Sequence, residues 1–183
     1  MRNLTATICL TLAVLLGSAG VSWSANFQKG VTAAQSGDFA TALREWTPLA
    51  EQGDADAQFK LGFMYHQGLG VPQDYKTAVK WWRLSAAQGN AGAQYYLGVM
   101  YYKGRGVPQD DKTAVKWYTL AAEQGNVYAQ NGLALALLDG RGTEKNPKEA
   151  LRLLKSAVQN GLKGGYSETT IGWSYFTGKH APA

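Results

Sequence analysis

The chain has 183 residues, of which 45% are hydrophobic and 17% are charged, and its formal net charge at pH 7 is +5. This length suits one ordinary domain, and the apolar fraction is large enough for a core, which excludes an intrinsically disordered chain. Lysines and arginines are scattered singly without a run of five, so the sequence predicts no nucleic-acid partner.

Residues 1–25 have the layout of a secretory signal peptide. Arg2 supplies a positive charge, an almost uncharged apolar stretch follows it, and small residues come last. Cleavage after Ala19 leaves small residues at both critical positions, whereas cleavage after Ala25 would put the bulky Trp23 at one of them. The alternative is an uncleaved amino-terminal anchor, because the apolar stretch is nearly long enough to cross a bilayer. We expect cleavage, and therefore a periplasmic or secreted protein without a membrane span.

The only cysteine, Cys9, lies inside the predicted signal peptide. The predicted mature chain therefore has no disulfide, no thiol nucleophile and no thiolate metal site. Removal of residues 1–25 takes away Arg2 and no acidic residue, so the formal charge falls from +5 to +4, with 17 basic and 13 acidic residues.

A 36-residue period organises the rest of the chain. It is marked by glycines at 53, 89, 125 and 161 and by alanines at 42, 78, 114 and 150. Residues 54–89 and 90–125 share 23 identities in 36 positions, and residues 126–161 keep the frame with more differences. A fixed period of this length is typical of repeat arrays. The predicted units are 26–53, 54–89, 90–125, 126–161 and a partial unit at 162–180.

Each unit is predicted to contain two helices. In the unit 54–89, small and apolar residues recur every fourth position from Ala55 to Gln67, which predicts a first helix, named helix A. Gly68 and Gly70 interrupt it, and Asp74 is placed to cap the next helix. Alanine and tryptophan at the same spacing from Tyr75 to Gln88 predict the second, named helix B. Gly62 in helix A is expected to let another helix come close.

A single helical hairpin cannot cover its own apolar face, whereas stacked copies bury the faces of their neighbours. The sequence therefore predicts an all-α solenoid of antiparallel helix pairs. The terminal units depart from the pattern. A short turn at 36–38 joins the first two helices, and the last repeated segment, from Ile171, comes two residues late.

The two central units resemble one known family. Both contain the string A-x-A-Q-x-x-L-G-x-M-Y-x-x-G-x-G-V-P-Q-D-x-x-K-T-A-V-K-W. This string resembles the Sel-one-like repeat (SLR), a relative of the tetratricopeptide repeat, and the resemblance covers about residues 38–180. It implies a right-handed α-solenoid with a concave binding surface, in a family whose members mostly hold other proteins together. Some exported bacterial members with paired cysteines have been linked to β-lactam binding or hydrolysis, and this chain lacks those cysteines.

Motifs that would indicate enzyme chemistry are missing. The G-x-G pairs lack a third glycine and follow a predicted helix instead of a strand, which excludes a dinucleotide loop. There is no S-x-x-K or G-x-S-x-G motif, and the chain has only two histidines, His66 and His180. No His, Asp and Glu cluster recurs at ligand spacing. We expect no enzyme activity, no cofactor and no metal.

The candidate partner surface lies on the side of helix A opposite the repeated stripe, at positions 56, 59, 60, 63, 66 and 67 and their equivalents. Residues there differ between units. The candidate partner-binding residues are Phe59, Lys60, His66, Tyr95, Tyr96, Tyr102 and Lys103.

Alternative interpretations exist for several of these positions. Phe59, Tyr95, Tyr96 and Tyr102 also suit packing between repeats, and His66 is expected to be either solvated or in contact with a ligand. Three residues at an equivalent helix A position stay apolar and are assigned to the core, namely Phe63, Val99 and Leu135. Four helix B lysines are assigned to a solvated outer face, namely Lys76, Lys80, Lys112 and Lys116.

The predicted function is that of an exported scaffold that binds another protein on the concave surface, in the periplasm of a Gram-negative bacterium. The main alternative is a carbohydrate or peptidoglycan-fragment binder, in which Tyr96 and Tyr102 stack on sugar rings. A β-lactamase-like hydrolase is a weaker alternative. The identity of the partner and the oligomeric state do not follow from the sequence.

Overall fold

The computed structural model describes residues 24–162, and these residues form eight α-helices and no β-strand. The first helix, α1, covers residues 24–35. The other helices are α2 (Phe39–Glu51), α3 (Ala55–Gln67), α4 (Tyr75–Ala87), α5 (Ala91–Lys103), α6 (Asp111–Glu123), α7 (Val127–Asp139) and α8 (Pro147–Gln159). Most of the predicted signal peptide (1–25) and nearly all of the predicted partial unit (162–180) lie outside the described residues. None of the helices in the described range has the length and apolar character needed to span a membrane.

The helices form an α-solenoid in which each helix packs against the next along the chain. The A helices α3, α5 and α7 alternate with the B helices α4, α6 and α8. Successive A helices contact one another more extensively than successive B helices do. The direct contacts of α5 with α3 and with α7 bring the A helices together on one side of the array, which is the side that the family resemblance implies to be concave.

The predicted helix ends are confirmed by their caps. Asp74 accepts hydrogen bonds from the backbone N–H groups of Lys76 and Thr77 at 2.9 and 3.2 Å. The hydrogen bond that the Thr77 hydroxyl donates to Asp74, together with these backbone bonds, holds the pKa of the Asp74 carboxyl below its ordinary value. Gly68 has a φ of 72° and ends α3 in the left-handed conformation. Helix B ends at Ala87, one residue before the predicted end, with Gln88 as its cap.

The second glycine of each loop has a further role that the sequence did not indicate. A Cβ on Gly106 would lie 2.5 Å from the carbonyl oxygen of Tyr75, and one on Gly142 would lie even closer to the carbonyl of Asp111. Tyr75 and Asp111 are the first residues of α4 and α6, each in the preceding unit. The loop after each A helix therefore packs backbone against backbone on the previous unit, which only glycine permits.

Within each unit, a large side chain on helix B packs on a small residue of helix A. A Cβ on Gly62 would lie 2.4 Å from Nε1 of Trp82, which confirms the close approach predicted at this glycine. The Trp82 indole N–H donates to the Phe59 carbonyl at 3.2 Å, so the buried ring is also hydrogen-bonded. In the last unit the equivalent pair is Ala134 and Leu154, in which a smaller partner leaves room for a methyl group.

Buried glutamines connect successive units. Gln58 Nε2 donates to the carbonyl of Ala50 in the preceding unit at 3.0 Å, and its Oε1 accepts from Gln88 Nε2 at 2.9 Å. The next unit repeats the arrangement, with Gln94 accepting from Gln124 at 2.7 Å. Each amide chain joins the end of one B helix, the next A helix and the end of the next B helix.

In the third unit the series of hydrogen-bonded amides is incomplete. Gln130 Nε2 donates to the Ala122 carbonyl at 3.4 Å, but Gln130 Oε1 is buried without a hydrogen-bond partner. The residue that would donate to it is Asn160, which is one methylene shorter than Gln88 and Gln124. The Asn160 amide instead bonds to the Ser156 hydroxyl at 3.3 Å. A buried acceptor without a partner destabilises the folded state.

The helix B lysines lie on the surface as predicted, whereas the three helix A positions predicted to be core are only half-buried. All four helix B lysines assigned to the outer face are exposed. Phe63, Val99 and Leu135 were assigned to the core and are half-buried. Phe63 and Val99 pack against the buried cluster around Trp82 and Leu97, so they form the boundary between the core and the concave side.

We expect Asn160→Gln to raise the free energy of unfolding by about 1 kcal/mol, because the longer amide can donate to Gln130 Oε1. Urea unfolding followed by circular dichroism measures the change. The converse variant is Gln124→Asn, which removes the donor to Gln94 and should lower the free energy by roughly 1–3 kcal/mol. Unchanged unfolding midpoints in both variants would show that the glutamine chain does not contribute to stability.

Candidate functional site

The candidate residues lie on two neighbouring A helices of the concave side. Phe59, Lys60 and His66 belong to α3, and the other four belong to α5. Because α3 and α5 contact each other directly, the structure brings side chains of two repeats together on one surface. The surroundings of these side chains differ from one residue to the next.

Tyr96 lies at the centre of a cluster of aromatic rings. Its ring stacks on Trp82 with a centroid distance of 4.7 Å and an interplanar angle of 15°. Phe59 and Phe63 of α3 approach the same ring at 6.0 and 5.9 Å. These distances are those of favourable aromatic pairs. Tyr96 therefore serves both interpretations of the sequence, since it packs between repeats and lies on the concave side.

Tyr95 extends the aromatic contacts to the third A helix. Its ring centroid lies 5.1 Å from that of Tyr96 and 5.8 Å from that of Tyr128 on α7. We name the row Phe59, Phe63, Tyr96, Tyr95 and Tyr128 the aromatic band. Burial raises the pKa of Tyr95 and Tyr96, so both keep neutral hydroxyl groups at physiological pH.

Tyr128 is a surface residue that the sequence analysis missed. Its side chain is 56% exposed, one of three large hydrophobic side chains exposed in the described range. It is equivalent to Asp56 and Gly92, at a position of the predicted partner surface that contributes none of the candidate residues. The change from aspartate and glycine to tyrosine was the signal that could have identified it.

His66 packs among aromatic rings and is not fully solvated, and its predicted contact with a ligand stays a prediction. It is half-buried, with its ring centroid 5.4 Å from those of Tyr75 and Trp82, and its Nδ1 is buried without a hydrogen-bond partner. Burial lowers the pKa of His66, and the positive charges of Arg105 and Lys103 lower it further. A neutral imidazole packed among rings is the result.

Tyr102 lies apart from the aromatic band, at the junction with the following loop. Its hydroxyl accepts a hydrogen bond from Arg141, whose guanidinium lies 4.1 Å from the ring centroid. Arg141 also donates to both carboxylate oxygens of Asp111, at 3.2 and 3.0 Å. Tyr102 therefore packs between units.

The two lysines carry positive charge at different places, Lys60 beside the aromatic band and Lys103 at the carboxyl end of α5. Lys103 is exposed as the last residue of α5, and the Lys60 ammonium lies 5.9 Å from the centre of the Phe59 ring. No group of three or more His, Cys, Asp or Glu side chains that could hold a metal occurs in residues 24–162. The chemistry that these side chains offer is apolar contact, ring stacking and attraction of negative charge.

The stacked hairpins define a helical-repeat protein of the α-solenoid class. Residues 55–90, 91–126 and 127–162 each match the Sel1 repeat, and the chain belongs to the Sel1 repeat family. The resemblance inferred from the central units is thus confirmed. Proteins of this family are generally scaffolds for protein–protein interaction, and their fold is typically non-catalytic.

Solved structures of bacterial proteins share this architecture. A Sel1 repeat protein from Oxalobacter formigenes is 33% identical, with a TM-score of 0.76, over 83% of this chain and 62% of that one. A protective antigen of uropathogenic Escherichia coli strains with an SLR fold is 34% identical, with a TM-score of 0.80, over 91% of this chain and 36% of that one. The chain thus spans less than two thirds of either protein.

A more distant structure agrees in fold. Cysteine rich protein B of Helicobacter pylori is 17% identical, with a TM-score of 0.55, over 69% of this chain and 90% of that one. No curated protein matches the sequence. The comparisons therefore establish the family and the fold without assigning a partner.

We expect His66→Leu to flatten the dependence of stability on pH below about 6.5, the ordinary histidine pKa. Because the folded state lowers the pKa of His66, the unfolded state binds more protons in this range, so stability is complete above pH 6.5 and falls as the pH decreases. Leucine occupies the equivalent position 138, so it should fit the site. Melting temperatures at pH 7.5 and 5.5 measure the effect.

The control is His180→Ala, which removes the other histidine from outside the described residues. It should keep the decrease in melting temperature that the unmodified protein shows. An equal decrease in His66→Leu and in the unmodified protein would contradict the buried, neutral state of His66.

Proposed function

We propose that this protein is an exported scaffold that binds another protein on the concave surface formed by its A helices. The observation that carries the proposal is the aromatic band, which crosses three consecutive A helices from Phe59 to Tyr128. A row of rings with Lys60 beside it is suited to a protein partner, since aromatic side chains are enriched among the residues that dominate binding energy.

The two sides of helix A have different roles, and this difference supports the variable side as the proposed binding site. One side of each A helix is required for stacking, because it holds the small residue under the helix B ring and the buried glutamine. The opposite side varies between units. Position 60 is lysine in one unit, and its equivalents are Tyr96 and Gly132. A surface free to vary over three units is typical of solenoids that hold extended partners.

The carbohydrate alternative depended on Tyr96 and Tyr102, and each ring already has one face in use. Trp82 stacks on Tyr96, and the Arg141 guanidinium covers Tyr102 at 4.1 Å. A sugar would have to share these rings with their packing partners. The exposed ring of the band is Tyr128, which lies beside Tyr95 and favours a partner that contacts several units at once.

Affinity capture tests the protein-binding role. We expect immobilised protein to retain a specific partner from an envelope extract, and Tyr128→Ser combined with Lys103→Glu to reduce retention at least about tenfold, because an aromatic anchor and a charge are lost. The matched control is Leu84→Ser, which changes a 51% exposed side chain on helix B. Equal loss in both variants would place binding elsewhere. Retention of purified cell wall with no protein retained would favour the carbohydrate alternative.

Export is supported by the charge and apolar pattern of residues 1–25. We expect the full chain, produced in a Gram-negative host, to be recovered from the periplasm with the mass of a form cut after Ala19 or Ala25. The control combines Leu15→Arg and Leu16→Arg, which places charge in the apolar stretch and should retain the uncut chain in the cytoplasm. An uncut membrane-bound chain would favour the anchor alternative, and an uncut cytoplasmic chain would overturn export.

A further inference from the structure

A cleft of about 280 Å³ lies at the amino-terminal end of the concave side, between α1, α2 and α3. Its lining is mostly apolar, and Lys60 is the only charged side chain among the described residues that line it. Trp46 lies at its base and is 3% exposed. Its lining includes residues of all three helices, namely Val31, Ala34, Phe39, Trp46, Lys60 and Phe63.

The next unit contains an equivalent space, next to Trp82 instead of Trp46. Trp46 and Trp82 are 36 residues apart and make the same bond, because their indole N–H groups donate to the carbonyls of Phe27 and Phe59 at 3.1 and 3.2 Å. Those acceptors are 32 residues apart, since the first turn is four residues shorter than the later loops. Equivalents of α1 residues therefore lie 32 positions later.

In the next unit, side-chain rings fill this space. Tyr96 stacks on Trp82 at 4.7 Å, and His66 lies 5.4 Å from the same indole and 6.0 Å from Tyr96. Their equivalents around Trp46 are Lys60 for Tyr96 and Ala34 for His66. The cleft exists because both rings are absent from the first junction.

We infer that this cleft binds an aromatic side chain from a partner segment that carries carboxylates beside the ring. The ring occupies the space that Tyr96 and His66 fill in the next unit, between Phe39, Phe63 and the base at Trp46. The inference rests on the proposed function, because it names the chemistry of the segment that the concave surface holds.

The positive charge of Lys60 at the cleft favours acidic residues next to the bound ring in the partner segment. Lys60 takes part in no ion pair of the described chain, and its ammonium points toward the Phe59 ring at the edge of the concave side. A carboxylate one residue from the bound ring can reach this ammonium without entering the cleft. Burial of the ring supplies affinity, and the lysine supplies selectivity for negative charge.

Titration of the ¹⁵N-labelled protein with short capped peptides tests the inference. The first probe has the sequence Gly-Glu-Phe-Glu-Gly, and it should shift the NMR signals of the Trp46 indole N–H and of residues 31–39. Replacing Phe by Ala in the probe should weaken binding about tenfold or more, because the buried ring is lost. Replacing both Glu by Lys should also weaken it. Absence of a shift at Trp46, or equal binding of the Phe and Ala probes, would overturn the inference.

Variants that rebuild the filled site test the same point from the protein side. Ala34→His keeps the charge of Lys60 and restores one ring, and Lys60→Tyr restores the other; both should abolish the Trp46 shift while preserving the melting temperature. The control Lys116→Tyr changes an exposed lysine on the outer face of α6, away from the cleft, and should bind the Phe probe normally. Unchanged binding by Ala34→His would overturn the inference.

The experiments distinguish a failure of the cleft inference from a failure of the proposed scaffold function. A partner that is lost on Tyr128→Ser with Lys103→Glu but is retained by Ala34→His would support the concave scaffold and overturn the cleft. Binding of the Phe probe at Trp46 without any captured protein would support the cleft and contradict the scaffold.

Discussion

The close packing of each helical hairpin on its neighbours is the constraint on which the rest of the structure depends. Two contacts leave no room for a side chain. The helix B ring of Trp82 lies against Gly62, and the loop at Gly106 lies against the first turn of the preceding B helix. The buried amide of Gln58 adds a hydrogen-bonded link across the junction. Because these contacts recur every 36 residues, one local solution builds the whole array.

The proposed binding surface follows from the same geometry. Stacking occupies one side of each A helix and brings these helices together on the concave side, where the residues at the opposite positions differ between units. Single substitutions there change the surface without changing the frame. At one such position Tyr96 completes a filled aromatic site, and its equivalent Lys60 leaves a cleft. The repeat thus supplies constant support for side chains that differ from one unit to the next.

The helices and caps were predictable because they depend on local pattern. Helix A matched at both ends, and Asp74 caps as expected. The candidate site was only partly predictable. His66 and Tyr102 belong to the predicted face, yet one is packed among rings and the other is held by Arg141, 39 residues later in the chain. Tyr128 was missed, because a wheel for one helix does not show which exposed ring continues a row across three helices.

The sequence by itself determined the repeat, its period, its helix ends and the side of each helix that faces its neighbours, because periodicity and capping act within a few residues of each other. Only the tertiary structure decided which variable side chains remain accessible. That outcome depends on distances between units, such as the one that lets Tyr96 cover Trp82 while no equivalent ring covers Trp46. Contacts between residues from different repeats have no signature in the pattern of either repeat alone.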